Sequence, residues 1–345
     1  MTLAAFRAAL AVTLVATIVP AQAETLNRSL DGTRLDLRMS CFKSVAIDPE
    51  PSLQGKIEVA ARADTRDELD RLTLSGGEAA RIERTGSCDF KSTPPTLMLE
   101  IKVPPSTSIN LHDVSTGTYG IITRSESIGT YRIGPVASLL NVELDGNGDV
   151  EAASSIGVDL RIDGSGDFLL HHMDGPAKID IRGSGDARIE TGTAPQVAID
   201  LRGSGNIKLG LTVGALQIDG SGSGDIEADN AKSLDLHATG SGNLALDRLD
   251  GPGKIEIRGS GDVSIGNGAM PSLAIALHGS GDAEIGAGEI VTLIASTAGS
   301  GDIQIGGATK DATLTSEGSG DISVARATGA VQSHQHGSGT ISIGQ

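Results

Sequence analysis

The stretch Ile255-Glu256-Ile257-Arg258-Gly259-Ser260-Gly261-Asp262-Val263-Ser264-Ile265 decides the fold. Aliphatic residues alternate with polar ones on both sides of a Gly-Ser-Gly tripeptide, and period two with β-branched residues predicts strand, tight corner, strand. The corner glycines serve one of two needs: a positive φ, or an approach of backbone to the next layer too close for a Cβ.

The same unit recurs along the chain. A Gly-x-Gly tripeptide begins at Gly146, Gly164, Gly183, Gly203, Gly222, Gly240, Gly259, Gly279, Gly299, Gly318 and Gly337, in steps of 18 to 20 residues. A second marker keeps the register: Gly175-Pro176-Ala177-Lys178 returns as Gly251-Pro252-Gly253-Lys254, 251 − 175 = 76 residues later, or four repeats of 19. Proline fits a second corner, because it lacks the donor that a ladder position requires. Short strands at a constant period cannot bury an apolar face alone, but stacked copies bury it for one another. The expected architecture is all-β, a right-handed parallel β-solenoid of about 11–13 rungs, roughly 4.8 Å apart. A propeller blade needs four strands and roughly 40 residues, twice this unit.

Outside the repeat the pattern changes. Ile109-Asn110-Leu111, Thr116-Gly117-Thr118 with Ile121, and Ile128-Gly129-Thr130-Tyr131 with Ile133 read as two degenerate lead-in rungs. Residues 24–104 alternate without repeating and are expected to form a small N-terminal β cap, with residues 105–345 as the solenoid. Cys41 and Cys88, the only two cysteines, are expected to pair there as a disulfide. Residues 1–23 read as a secretory signal peptide: Arg7, an apolar run from Ala8 to Val19, Pro20, and the small-x-small triplet Ala21-Gln22-Ala23, with cleavage before Glu24. The run is too short to span a bilayer, and no membrane insertion is expected elsewhere. The expected location is periplasmic or secreted.

Composition narrows the partners. The 44 acidic and 27 basic residues leave 26 − 44 = −18 once Arg7 is removed, which disfavours nucleic acid. Tryptophan is absent and aromatics are few, consistent with a core of thin layers in which each aliphatic packs on its copy above.

Tandem Gly-Ser-Gly-Asp-aliphatic-x-aliphatic rungs, preceded by a β segment and Pro104-Pro105, resemble the "putative auto-transporter adhesin head, GIN-domain" family. That resemblance implies a β-solenoid in an exported bacterial protein and an adhesive role. The chain departs from an autotransporter in that Ile343-Gly344-Gln345 follow the last repeat directly, with no translocation barrel expected.

The acid after the tripeptide is the main chemical feature: Asp149, Asp167, Asp186, Asp225, Asp262, Asp282, Asp302 and Asp321, with Asn206, Asn243 and Thr340 in the remaining places. Stacked one rung apart, such carboxylates repel by about 1 kcal/mol even in water. Two readings follow. The column could hold calcium, a hard cation suited to carboxylates and corner carbonyls. Alternatively, each acid caps its own corner by accepting backbone N–H bonds, which Asn does equally well. Arg182, Arg202 and Arg258, each just before a tripeptide, are placed to neutralise part of the column. His171-His172, His278, His334 and His336 read as surface histidines, since spacing fixes no third metal ligand. No other cofactor is implied.

An enzyme is not expected. Carboxylates on nearly every rung single out no acid–base pair, and a serine at every corner has no repeated activating partner. The expected function is an exported, noncatalytic, adhesin-like or structural module that binds cell-envelope glycan or protein. The alternatives are a calcium-ordered secreted solenoid and a carbohydrate-active β-helix enzyme. The unpaired last strand, Thr340 to Ile343, adds an expectation of self-association through the C-terminal rung.

Overall fold

The computed structural model describes residues 23–38, 42–85, 96–112 and 130–344. Residues 1–22 of the expected signal peptide, Cys41 and Cys88 of the expected disulfide, and residues 113–129 of the expected lead-in rungs lie outside the described residues.

The chain forms a β-solenoid of about 11 turns from residue 132 to 343, with N-terminal strands stacked on it. Each rung contributes one strand to each of two parallel ladders. In the first ladder Leu140–Leu144 is followed by Val158–Ile162, Ala177–Ile181 and the second half of Ala187–Leu201. In the other, Thr130–Pro135 is followed by Asp149–Ser155, Phe168–Asp174 and the first half of Ala187–Leu201. The Gly-x-Gly corner links a first-ladder strand to the next rung. In the longer rungs the two strands merge into one of 14 or 15 residues that bends around the second corner, as in Val263–Leu277 and Ala283–Thr297.

Alternation places one side chain in two inside. Leu144, Ile162, Ile181 and Leu201 form one buried column and Leu170, Ile189 and Leu209 another, each on its copy from the neighbouring rung. Aliphatics suffice because a rung is only a few side chains wide. Where the first column reaches Gly220 and Ala238, the lost volume leaves a cavity of about 30 Å³ lined by Leu201, Ile218, Ile226 and Leu236.

The two corners satisfy their backbone differently. At the tripeptide the ladder runs on without interruption: the Ser184, Ser204 and Ser223 amides donate to the Gly164, Gly183 and Gly203 carbonyls at 2.9–3.0 Å. A Cβ on Gly183 would sit 1.9 Å from the Gly164 oxygen, and one on Gly185 would sit 2.0 Å from the Gly166 oxygen. Close approach is thus what these corners require; among the tripeptide glycines only Gly337 has a positive φ, of 133°. At the second corner, Pro176 and Pro252 supply carbonyls to Val158 and Leu234 on the preceding rungs, and their absent N–H costs nothing there.

The N-terminal strands continue the same ladders. Arg34–Arg38 pairs in parallel with Ser108–His112, and Ser44–Pro49 with Thr130–Pro135. Ala79–Arg84 and Met98–Val103 stack on the far side of that rung, so Arg38 lies opposite Glu83 and Ser44 opposite Met98. Beyond them the direction reverses. Lys56–Ala63 pairs antiparallel with Met98–Val103, Glu24–Asp31 antiparallel with Lys56–Ala63, and Leu72–Ser75 antiparallel with Ala79–Arg84. A single helical turn, Arg66–Asp70, packs against these strands and buries Leu69. Glu68 on that turn meets the Arg84 guanidinium at 3.1 Å, with the Arg84 side chain only 4% exposed.

Candidate functional site

The corner acids stand in one column and are bound to one another through the backbone. Asp149 Oδ1 accepts the amide of Asp167, Asp167 Oδ1 that of Asp186, and Asp186 Oδ1 that of Asn206. The relay passes through Asn206, Asp225, Asn243, Asp262, Asp282, Asp302 and Asp321 to the amide of Thr340. Every link measures 2.7–3.0 Å. The acid thus caps the next rung's corner, not its own as the sequence suggested. An amide oxygen serves as well as a carboxylate, which accounts for Asn206 and Asn243. Burial, with added repulsion from Asp149 and Asp186, pushes the Asp167 carboxyl above its ordinary value, although the Asp186 amide pulls the other way. At the open end, Thr340 donates both its amide and its hydroxyl to Asp321, whose carboxyl is held low.

A prediction follows for the middle of the column. Asp167→Ala removes one acceptor and is expected to cost roughly 1 kcal/mol. Asp167→Asn keeps the acceptor and sheds a partly desolvated charge that its neighbours repel, so it should match or slightly exceed the native stability near neutral pH. Because the folded-state pKa of Asp167 is raised, its charge weakens the fold above that pKa, and protonation relieves this as pH falls. Urea unfolding of the three proteins measures both differences.

The arginines lie on the opposite side of the tripeptide from the acids and do not neutralise them. Arg182 is bidentate to Asp180 at 2.8 and 3.1 Å, Arg202 to Asp200, and Arg258 pairs with Glu256. Beside the arginines, over the first glycine and the serine of successive tripeptides, runs a shallow, open trough of about 950 Å³. Its floor is a row of serines, among them Ser184, Ser204, Ser223, Ser241, Ser260 and Ser280. Their side chains are exposed, and their hydroxyls are hydrogen-bonded to no other described residue. Ser221 and Thr239 replace arginine in two successive rungs of the trough wall, opening it over the small internal cavity.

One ionic cluster was not foreseen. His171 bridges three rungs, its Nδ1 2.7 Å from Glu190 and its Nε2 3.0 Å from Glu151. The two carboxylates raise the imidazole pKa above 6.5, Glu151 contributing most, and the histidine lowers that of Glu190. The sequence separations of 20 and 19 residues, one repeat each way, were the available signal. With a raised folded pKa, the bridge is fully formed below the ordinary imidazole value and is lost as pH rises through the folded one; on the acid side it ends at the depressed Glu190 pKa. NMR titration of His171 is expected to give a value above that of an exposed histidine, and Glu190→Gln should lower it. Of the other histidines, His172 bonds Asp174 at 3.0 Å and His237 meets Glu256 at 3.5 Å. Among the described residues no group of three or more His, Cys, Asp or Glu side chains is gathered to hold a metal ion. No described helix is long and apolar enough to cross a membrane.

An unbroken corner ladder, a repeated acceptor column and a long polar trough define a tandem-repeat β-solenoid scaffold. The chain belongs to the family described as "Putative auto-transporter adhesin, head GIN domain", whose model matches residues 157–269 and 235–344. Among solved structures, a "putative adhesin" from Parabacteroides distasonis ATCC 8503 is similar at 12% identity, covering 94% of this chain and 98% of that one, with a TM-score of 0.30. A "putative adhesin" from Bacteroides fragilis NCTC 9343 also has 12% identity and the same coverages, with a TM-score of 0.23. A "putative lipid binding protein" from Parabacteroides distasonis ATCC 8503 has 15% identity, coverages of 94% and 97%, and a TM-score of 0.24. No curated protein matches the chain.

Proposed function

We propose that the protein is an exported, noncatalytic binding module that holds an extended cell-envelope glycan along its Gly-Ser-Gly corner. The supporting observation is the trough: free serine hydroxyls recur once per rung, at a spacing of about 4.8 Å, along a rigid backbone. A polymer bearing hydroxyls at regular intervals meets the same donor and acceptor repeatedly, so weak contacts add along its length. The arginine wall adds donors that suit hydroxyl or carboxylate groups on the polymer. A solenoid surface of this kind is a common binding platform.

A noncatalytic role is favoured because the corner carboxylates are equivalent and each is engaged with the next rung, so no two are set apart as acid and base. The family is described as an adhesin head and not as an enzyme. Export rests on the signal peptide read in residues 1–23, and periplasmic or secreted residence follows from it.

Retention on immobilised envelope polysaccharide tests the reading. The wild type should be retained, and Ser223→Leu with Ser241→Leu, which fill the trough from its exposed side, should abolish retention without changing the melting temperature. Absence of retention by the wild type removes the glycan reading. Retention by the filled variant moves the binding surface away from the corner.

A further inference from the structure

The wall of the trough is interrupted at two successive rungs. Arg182, Arg202 and Arg258 hold the place before the tripeptide, but Ser221 and Thr239 take it between Arg202 and Arg258. Wherever the arginine is present it turns back along its own strand onto an acid two residues earlier, Asp180, Asp200 or Glu256. Those acids belong to one outward column, which runs in register through Asp180, Asp200, Asp219, His237 and Glu256. Asp219 is the member that keeps its carboxylate without an arginine. Its side chain is exposed and makes no hydrogen bond or ion pair with any described residue.

The charges nearest to Asp219 are engaged elsewhere. Arg202 is bound to Asp200 and Arg258 to Glu256. His237, in the next rung, turns to Glu256 at 3.5 Å and to the Arg258 guanidinium at 3.3 Å. The preceding outward residue on the same strand, Gln217, is neutral. Around the opening Ser221, Ser223 and Ser241 are exposed, and the Thr239 hydroxyl is held only by the Gly220 carbonyl at 3.5 Å. Along the rest of the wall each cation is matched by an acid; at the opening the acid stands without its cation.

We infer that this opening is a subsite for a protonated primary amine, so that the extended glycan proposed above is one bearing amino sugars; the assignment rests on that reading. Asp219 accepts the ammonium, and Ser221 with the serines of the floor takes its remaining donors. One carboxylate and several hydroxyl oxygens suit an ammonium, which has three N–H donors and no acceptor. A polymer carboxylate finds no free cation here, because a guanidinium already bonded to an acid offers hydrogen bonds but little net charge. The flanking rungs, where arginine and acid neutralise each other, suit the uncharged hydroxyls of the same polymer.

Calorimetric titration with a glucosamine hexamer and with its fully N-acetylated counterpart, at a pH that keeps the free amines protonated, tests the assignment. The wild type should bind the amine form about tenfold more tightly, the worth of one charge-assisted hydrogen bond. Asp219→Asn should remove that preference and leave binding of the N-acetylated hexamer unchanged. Ser221→Arg should also remove it, by giving Asp219 the partner that Asp200 has. Glu284→Gln, an equal charge change at an exposed position on the other ladder, should keep the preference, which separates a subsite from general attraction to an acidic surface. Equal binding of both hexamers by the wild type overturns the subsite and leaves the glycan reading standing. Binding of neither overturns it too, and retention on envelope polysaccharide then decides whether the glycan reading falls with it. A preference that survives in Asp219→Asn, or that Glu284→Gln also loses, counts equally against the subsite. Asp219→Asn is an exposed change of the same shape, so it carries the test should Ser221→Arg alter the circular dichroism.

Discussion

Replacing Gly185 with alanine is expected to destabilise the protein by about 3 kcal/mol or more, at or beyond the upper end of ordinary overpacking costs. The added Cβ would lie 2.0 Å from the Gly166 oxygen and 2.9 Å from its carbon, and both are backbone. No side chain can swing aside, so two rungs must separate and the corner hydrogen bonds on either side must lengthen. Gly220 provides the control, because a Cβ there meets nothing within 4 Å and faces the cavity shared with Ala238. Gly220→Ala should stabilise by about 0.4–1 kcal/mol, mainly by restricting the unfolded chain. Opposite signs from two glycine-to-alanine changes in the same stack would locate the constraint in inter-rung contact and not in glycine content. Chemical denaturation of both variants measures this.

A comparable loss, roughly 3 kcal/mol, is expected from Glu68→Ala at the N-terminal closure. Arg84 is almost wholly enclosed, and its two contacts of 3.1 and 3.3 Å to Glu68 hold the helical turn over the end of the stack. Removing the carboxylate takes two charge-assisted contacts away from a buried guanidinium. Glu68 is 22% exposed and also meets Arg71 at 3.4 Å, so solvent screening keeps the loss near the low end for buried pairs. Replacing both partners, as Glu68→Leu with Arg84→Met, should recover most of the stability, because the desolvation cost of both charges is removed together. A thermal unfolding cycle of the single and double variants separates this pair from simple loss of packing.

The solenoid was legible because its cause is local and repeated. Alternation in Ile255-Glu256-Ile257 fixes which side chains enter the core, and the glycine pair fixes where each rung turns. The corner acids were legible as a column, but not their partner. Sequence alone places Asp262 beside its own corner, whereas the register carries its Oδ1 to the amide of Asp282, 2.8 Å away in the next rung. The same blindness to register applied to His171, whose partners are a full repeat away, whereas Arg202 takes the local partner Asp200 two residues back and not the acid column. Reversal of the N-terminal strands was not legible, because alternation in Ile57-Glu58-Val59 reads the same in a parallel or an antiparallel pair. The trough became visible only when Ser184, Ser204 and Ser223 were stacked and their hydroxyls found free.

Each corner acid is spent on the next rung's amide, so the column is expected to need no cation to order it. Thermal unfolding in calcium and in chelator at matched ionic strength tests it most directly, since a ligand that binds only the folded form must raise its melting temperature. The melting temperature should be the same in both. A large rise specific to calcium, lost when Asp262 and Asp282 are replaced by asparagine, would contradict it and make the column a metal site.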